Sequence, residues 1–134
     1  MLSLKKIPLL LFVVVIFMAR FGANATEGKT PVVKKMVKVY IDYGEGIRVD
    51  SSIVYWHDGL TAMEALQHCV SVTTRPVDEY VFVSAIDTFH NQRGGKVWYY
   101  TVNGEPAKKL AIHNRINAGD EVRWRYCDDV CSTK

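Results

Sequence analysis

Past its first 25 residues this chain has one short stretch that reads as helix, and nearly everything around it reads as strand. Thr61 is a good N-cap, and Glu64 stands three residues on, the capping-box spacing in which each side chain satisfies the other's exposed backbone donor. Ala62, Ala65, Leu66 and Cys69 recur at i, i+3, i+4 and i+7, an apolar stripe on one helical face. The spacing predicts a helix over Ala62–Cys69, after which Val70 opens β-branched sequence. Before the helix, Val37, Val39 and Ile41 alternate with Lys38, Tyr40 and Asp42, the period-two pattern of a half-buried strand. Gly44 and Gly46 mark a turn, and the β-branched and aromatic run Ile53-Val54-Tyr55-Trp56 makes the second arm of a hairpin.

After the helix the strand signals continue. Tyr80–Ile86 reads as a third strand, and residues 87–96, with Asn91, Gly94 and Gly95, read as a loop. Val97–Val102 is the most aromatic strand and ends at Asn103-Gly104, a pair that tolerates the positive φ of a type I′ turn. Leu110–Ile116 is expected to return as a strand, and residues 117–120 to turn again. Val122, Trp124 and Tyr126 then alternate with Glu121, Arg123 and Arg125 in a final strand. One helix laid across one face of a mixed sheet of four to six strands is the simplest way to bury this apolar surface. The expected fold class is therefore α+β, in a β-grasp arrangement.

The N-terminus has the order of a secretory signal: Lys5 and Lys6, an uncharged apolar run from Ile7 to Ala19, then the small-x-small site Ala23-Asn24-Ala25. A spanning helix needs about 20 apolar residues, and this run is 13 long before Arg20 ends it. The expected organisation is a signal peptide over residues 1–25, a flexible leader over 26–36, a β-grasp domain over 37–127 and a tail over 128–134. A secreted or periplasmic location follows, with no membrane span once the signal is cut.

Charge narrows the partners. Of 17 Lys and Arg residues, Lys5, Lys6 and Arg20 fall within the signal, which holds none of the 14 Asp and Glu, so the mature chain is formally neutral. No global field draws it to nucleic acid. The small basic cluster of Lys34, Lys35 and Lys38 fits a solvated strand entrance.

Three cysteines, Cys69, Cys127 and Cys131, leave at least one unpaired within the chain or bonded between chains. Export permits disulfides; Cys127–Cys131 is the first candidate pair, and Cys69 with either of them the second. On the helix stripe Cys69 reads as a small core filler. A single C-x-x-x-C without a second pair is a poor metal signal. Neither His57, His68, His90 nor His113 forms a metal spacing, and no nucleophile motif or phosphate-cradling glycine loop is present. No metal site and no enzyme are expected.

Four pieces of sequence occur in an order that resembles the transcobalamin C-terminal-like domain family. They are Thr61-Ala62-Met63-Glu64-Ala65-Leu66, Ser84-Ala85-Ile86-Asp87, Trp98-x-Tyr100-x-Val102-Asn103-Gly104, and Ala118-Gly119-Asp120-x-Val122-x-Trp124-x-Tyr126. The resemblance spans roughly Val37 to Tyr126. It implies a β-grasp module of the kind found in cobalamin carriers and in many exported bacterial proteins of unknown role. The carriers' large helical domain, which supplies much of their corrinoid contact, has no counterpart here, and the cysteine-bearing tail lies outside the pattern.

Alternation along the aromatic strand puts Trp98, Tyr100 and Val102 on one face, with Trp124 and Tyr126, as core. Tyr99 and Thr101 face the other way, beside Tyr40, Arg123 and Arg125. An uncovered sheet face carrying tyrosines among charges could stack on a flat ligand and hydrogen-bond its edge; the plainer alternative is a solvated face. In the carriers the region matching the Trp98 strand and its hairpin lies toward the corrinoid. The resemblance thus implies Trp98, Tyr99, Tyr100, Thr101 and Asn103 as ligand-binding residues and a cobalamin-like small molecule as ligand. The competing expectation is a protein partner, met through an edge strand or the odd cysteine.

Overall fold

The computed structural model describes residues 34–129. The expected signal peptide, the leader up to residue 33 and the tail from residue 130, Cys131 included, lie outside the described residues. The elements in chain order are β1 (Met36–Asp42), β2 (Val49–Tyr55), α1 (Ala62–Gln67), β3 (Val72–Val77), β4 (Tyr80–Ile86), β5 (Phe89–His90), β6 (Lys96–Val102), β7 (Glu105–Pro106) and β8 (Glu121–Asp128).

They form two sheets, not the single sheet expected. The larger has the order β2-β1-β8-β6-β7, and β3, β4 and β5 form a second, three-stranded sheet. The larger sheet is mixed, because β1 pairs with β8 in parallel while its other pairs are antiparallel. With one short helix among the described residues, the fold is α+β, mostly β.

One face of the larger sheet is the core. Cross-strand register aligns Val37 with Val54, Val39 with Val122, Ile41 with Trp124, and Trp98 with Tyr126, and all of these are buried. Helix α1 supplies Ala62, Met63, Ala65 and Leu66 to the same core, and β4 supplies Val83 and Ile86. The helix ends at Gln67 with His68 as C-cap, two residues short of the expected span. Cys69 packs at the core margin and donates its Sγ–H to the Ala65 carbonyl at 3.2 Å.

Two segments depart from expectation for physical reasons. Leu110–Ile116 is not a strand, because it wraps the start of the helix. The Ala111 and Asn114 carbonyls accept from the backbone N–H groups of Met63 and Ala62 at 3.1 and 2.9 Å. Those are first-turn donors with no partner inside the helix, so the segment serves as an external cap and leaves only an isolated bridge between Arg115 and Thr61. The strand that does follow the Asn103-Gly104 turn is the two-residue β7. Conversely, Val72–Val77 is a strand that carries no alternation: all of it but Val72 is exposed, and it holds Pro76. Pairing with β4 alone forms it, at the edge of the second sheet, where a missing N–H does no harm.

Three buried aromatic donors fasten the second sheet to the first. Trp98 Nε1 donates to the Phe89 carbonyl at 2.8 Å, Tyr126 Oη to the His90 carbonyl at 2.7 Å, and Tyr43 Oη to the Asp87 carboxylate. Asn91 completes the seam by donating to the Val83 carbonyl and accepting from the Trp98 N–H, each at 2.9 Å. The β1–β2 turn is pressed against β8: Gly44 has φ +79, and a Cβ there would lie 2.5 Å from the Tyr126 carbonyl oxygen, so only glycine fits.

Candidate ligand-binding cleft

The two sheets meet at the seam and diverge beyond it, leaving a cleft of about 780 Å³. Strand β6 forms one wall through Trp98, Tyr99 and Tyr100, and the projecting β3–β4 hairpin forms another through Val77, Val81 and Phe82. Residues 107–111 close a third side, and Trp124 also lines the space. The hairpin residues owe their exposure to its geometry. Val77 and Phe82 are 43% and 41% exposed, so apolar side chains line the cleft while remaining open to solvent.

Polar capacity on these walls is mostly spent. Tyr100 Oη donates to the Lys109 carbonyl and accepts from Asn114 Nδ2 at 3.1 Å, and burial raises its pKa above the ordinary tyrosine value. Its ring stacks on Trp124 with centroids 4.7 Å apart. Ser84 Oγ donates to the Thr73 carbonyl at 3.1 Å. Among the buried groups, Trp124 Nε1 is a donor without a hydrogen-bond partner. Native folds rarely leave such a group unpaired, because its desolvation is then uncompensated.

The residues singled out from sequence therefore separate. Trp98 and Tyr100 reach the cleft, and Tyr99 lines it as the residue between them while its side chain turns to the opposite face; Thr101 and Asn103 are not among its walls. Asn103 is occupied elsewhere: its Nδ2 donates to Asp120 Oδ1, and its Oδ1 accepts from the Glu121 N–H, both at 2.9 Å. Asp120 in turn accepts from the Asn117 N–H at 2.7 Å. The Asn-Gly and Gly-Asp pieces of the sequence pattern are thus one knot that fixes β6 against β8. Asn103 and Gly104 both have positive φ, +52 and +80, as the I′ turn requires.

The opposite face of the larger sheet carries Tyr40, Tyr99, Thr101, Arg123 and Arg125. Its charges and rings are already engaged with one another. Arg123 lies over the Tyr40 ring at 4.6 Å, Arg125 pairs with Asp42 at 3.6 Å, and Tyr99 Oη donates to Asp129 at 2.8 Å. A second cavity of about 600 Å³ lies at the β1–β2 turn. Its ion pairs, Lys96 with Glu45 at 2.6 Å and Arg48 with Asp50 at 3.1 Å, likewise satisfy each other.

Reading the sequence alone misses the cleft's hairpin wall and the basic segment after β7. The signal was available in part: Val81 and Phe82 sit in a recognised strand, but the strand that pairs with it carries no pattern.

Among the described residues Cys69 and Cys127 are free, so they are not bonded to each other, and the pairing of Cys127 with Cys131 reaches beyond the described residues. Burial raises the pKa of both thiols, Cys69 and Cys127 alike. Among the described residues no group of three or more His, Cys, Asp or Glu could hold a metal ion, and no helix is long and apolar enough to cross a membrane.

The class defined by this fold is a small α+β module, with two sheets and one helix among the described residues. Solved structures share it, among them the following two. One, at 15% identity and a TM-score of 0.61, is a candidate metal-binding protein from Ruminococcus gnavus; the alignment covers 72% of this chain and 99% of that one. The other, at 16% identity and a TM-score of 0.58, is haptocorrin in complex with Cbi. There the alignment covers 69% of this chain but only 25% of haptocorrin, so the chain spans a quarter of that protein's length. No curated protein matches the sequence. Residues 59–127, just over half of the chain, match the family described as Domain of unknown function (DUF4430), and the chain belongs to that family.

Proposed function

We propose that this chain is an exported binding module, not an enzyme, with residues 1–25 as its signal, the domain from residue 37 to 127 arranged as a β-grasp, and a flat small molecule as its ligand. The observation that carries this reading is the aromatic-walled cleft between the sheets. Fold similarity to haptocorrin, solved with Cbi, supports a ring-shaped ligand of corrinoid type. Trp98 and Tyr100 act as contacts from β6, Tyr99 turns its ring to the opposite face, and Thr101 and Asn103 hold the strand and its turn.

This domain by itself covers one side of such a ligand, so affinity in the tens of micromolar is expected of it. Tryptophan-fluorescence titration with cobalamin, and with haem as a second flat macrocycle, tests the reading. Saturable quenching is expected, weakened about fivefold to tenfold in Phe82→Ala, which removes a solvent-exposed ring from the cleft wall. Absence of quenching by either compound at about 100 μM, well above that affinity range, would leave the likeness to haptocorrin as fold alone.

A second reading has its own observation. Strand β2 is an edge of the larger sheet, and Val49, Ile53 and Tyr55 stand 55%, 62% and 63% exposed on it. An apolar edge of this kind suits addition of a partner strand. If that is the function, Tyr55→Lys abolishes association in sedimentation experiments while Phe82→Ala does not.

A further inference from the structure

We propose that the cleft takes a ring-bearing organic anion, a small molecule with an apolar ring body and at least one carboxylate. This rests on the cleft being the ligand site and goes beyond that reading by fixing the ligand's charge. Three cations line the cleft from two different elements: Arg75 on β3, and Lys108 and Lys109 on the segment after β7. No Asp or Glu lines it among the described residues.

The contrast with the second cavity is what gives these cations meaning. There, Arg48, Lys96 and Arg125 each lie within 3.6 Å of a carboxylate. Arg75, Lys108 and Lys109 form no ion pair among the described residues. Charges of one sign lining a concave surface with apolar walls raise the local concentration of the opposite ion.

Three cations and no carboxylate on the cleft's lining match acceptor oxygens. Its apolar walls, Phe82, Val77 and Val81 above all, match a ring. Within the flat macrocycles named above, a dicarboxylate such as haem suits the cleft better than a neutral or cationic corrinoid.

Calorimetric titration of the mature protein with 2-naphthoate and 2-naphthamide, alike in ring and shape, isolates the charge. The carboxylate is expected to bind about tenfold tighter at low ionic strength, the sum of several exposed charge contacts. That ratio should shrink as salt rises from about 20 mM to about 500 mM. It should fall to near unity in Lys108→Gln/Lys109→Gln and stay near tenfold in Lys38→Gln, an exposed cation on the far face of the larger sheet. Equal binding of the two probes overturns the anion proposal and leaves the cleft as a ligand site. Failure of both to bind overturns the cleft reading as well.

Discussion

Tyr43 shows how much of this fold hangs on single polar contacts. Its ring is fully buried against Phe89 and Trp98, with centroids 4.9 and 5.6 Å away, while its hydroxyl donates to Asp87. Arg48 lies over the ring at 4.2 Å and pairs with the same carboxylate at 3.2 Å. Burial first, then the bond to Asp87, pushes the Tyr43 pKa up to about 12 from 10.0. A phenol held neutral in the fold but ionising near pH 10 when unfolded contributes stability that is complete below pH 10 and is lost as pH rises toward 12. Urea unfolding at pH 8 and pH 11 is therefore expected to show a loss of stability with alkali that is smaller in Tyr43→Phe; an equal loss in both proteins contradicts it. At neutral pH, Asp87→Ala strands the buried hydroxyl and is expected to cost about 1–3 kcal/mol. None of this was legible in the sequence, where Tyr43 sat beside a glycine turn and Asp87 opened a loop. The bond joins residues 44 apart, and no local pattern encodes such a pairing.

Among the elements, the helix was legible because its signals are local. Thr61 accepts from the Glu64 N–H at 3.2 Å, as the capping spacing requires. Yet six residues make a helix too short to stand alone, and its first donors are capped by the segment around Ala111 and Asn114. That segment looked like a strand because its apolar residues, Ala111 and Ile116 among them, are indeed buried; burial does not say which backbone its carbonyls will serve. Thr61→Ala is expected to cost about 1 kcal/mol in chemical denaturation. His57 reports on the same corner. Its Nδ1 faces the Asp58 carbonyl and its Nε2 the Glu64 carboxylate, both at 2.9 Å. Both nitrogens donate only in the imidazolium, so its pKa is raised above the ordinary 6.5, first by the Asp58 carbonyl and then by Glu64. The stability it contributes is complete below pH 6.5 and disappears as pH climbs past the raised value. An NMR titration is expected to place His57 above 6.5 and to bring it down in Glu64→Gln; titration at or below 6.5 in the unaltered protein would count against the two-bond geometry.

At the scale of the molecule, alternation told core from surface well. Trp98, Trp124 and Tyr126 are buried, and Tyr99 and Thr101 share a face with Arg123 and Arg125. What alternation omits is the second sheet. Its edge strand has no buried face to leave a period-two trace, and Pro76 argues against a strand on local grounds. The cleft exists only because that sheet leans over β6, so the candidate site moved from the uncovered face of the larger sheet to the gap between the sheets. Asn91 holds the seam beside that gap by serving both Trp98 and Val83. Asn91→Ala is expected to lower stability by about 1–3 kcal/mol in thermal or urea unfolding, since it leaves two backbone groups unpaired.

The account turns on where the ligand goes, and amide chemical-shift mapping reads that directly. On addition of 2-naphthoate to ¹⁵N-labelled protein, shifts are expected at Val77–Val83, Trp98–Tyr100 and Ala107–Ala111, together with the Trp124 indole N–H. Shifts confined to Tyr40, Arg123 and Arg125, with the hairpin and the Trp124 indole unmoved, would put the ligand on the other face of the sheet and contradict it.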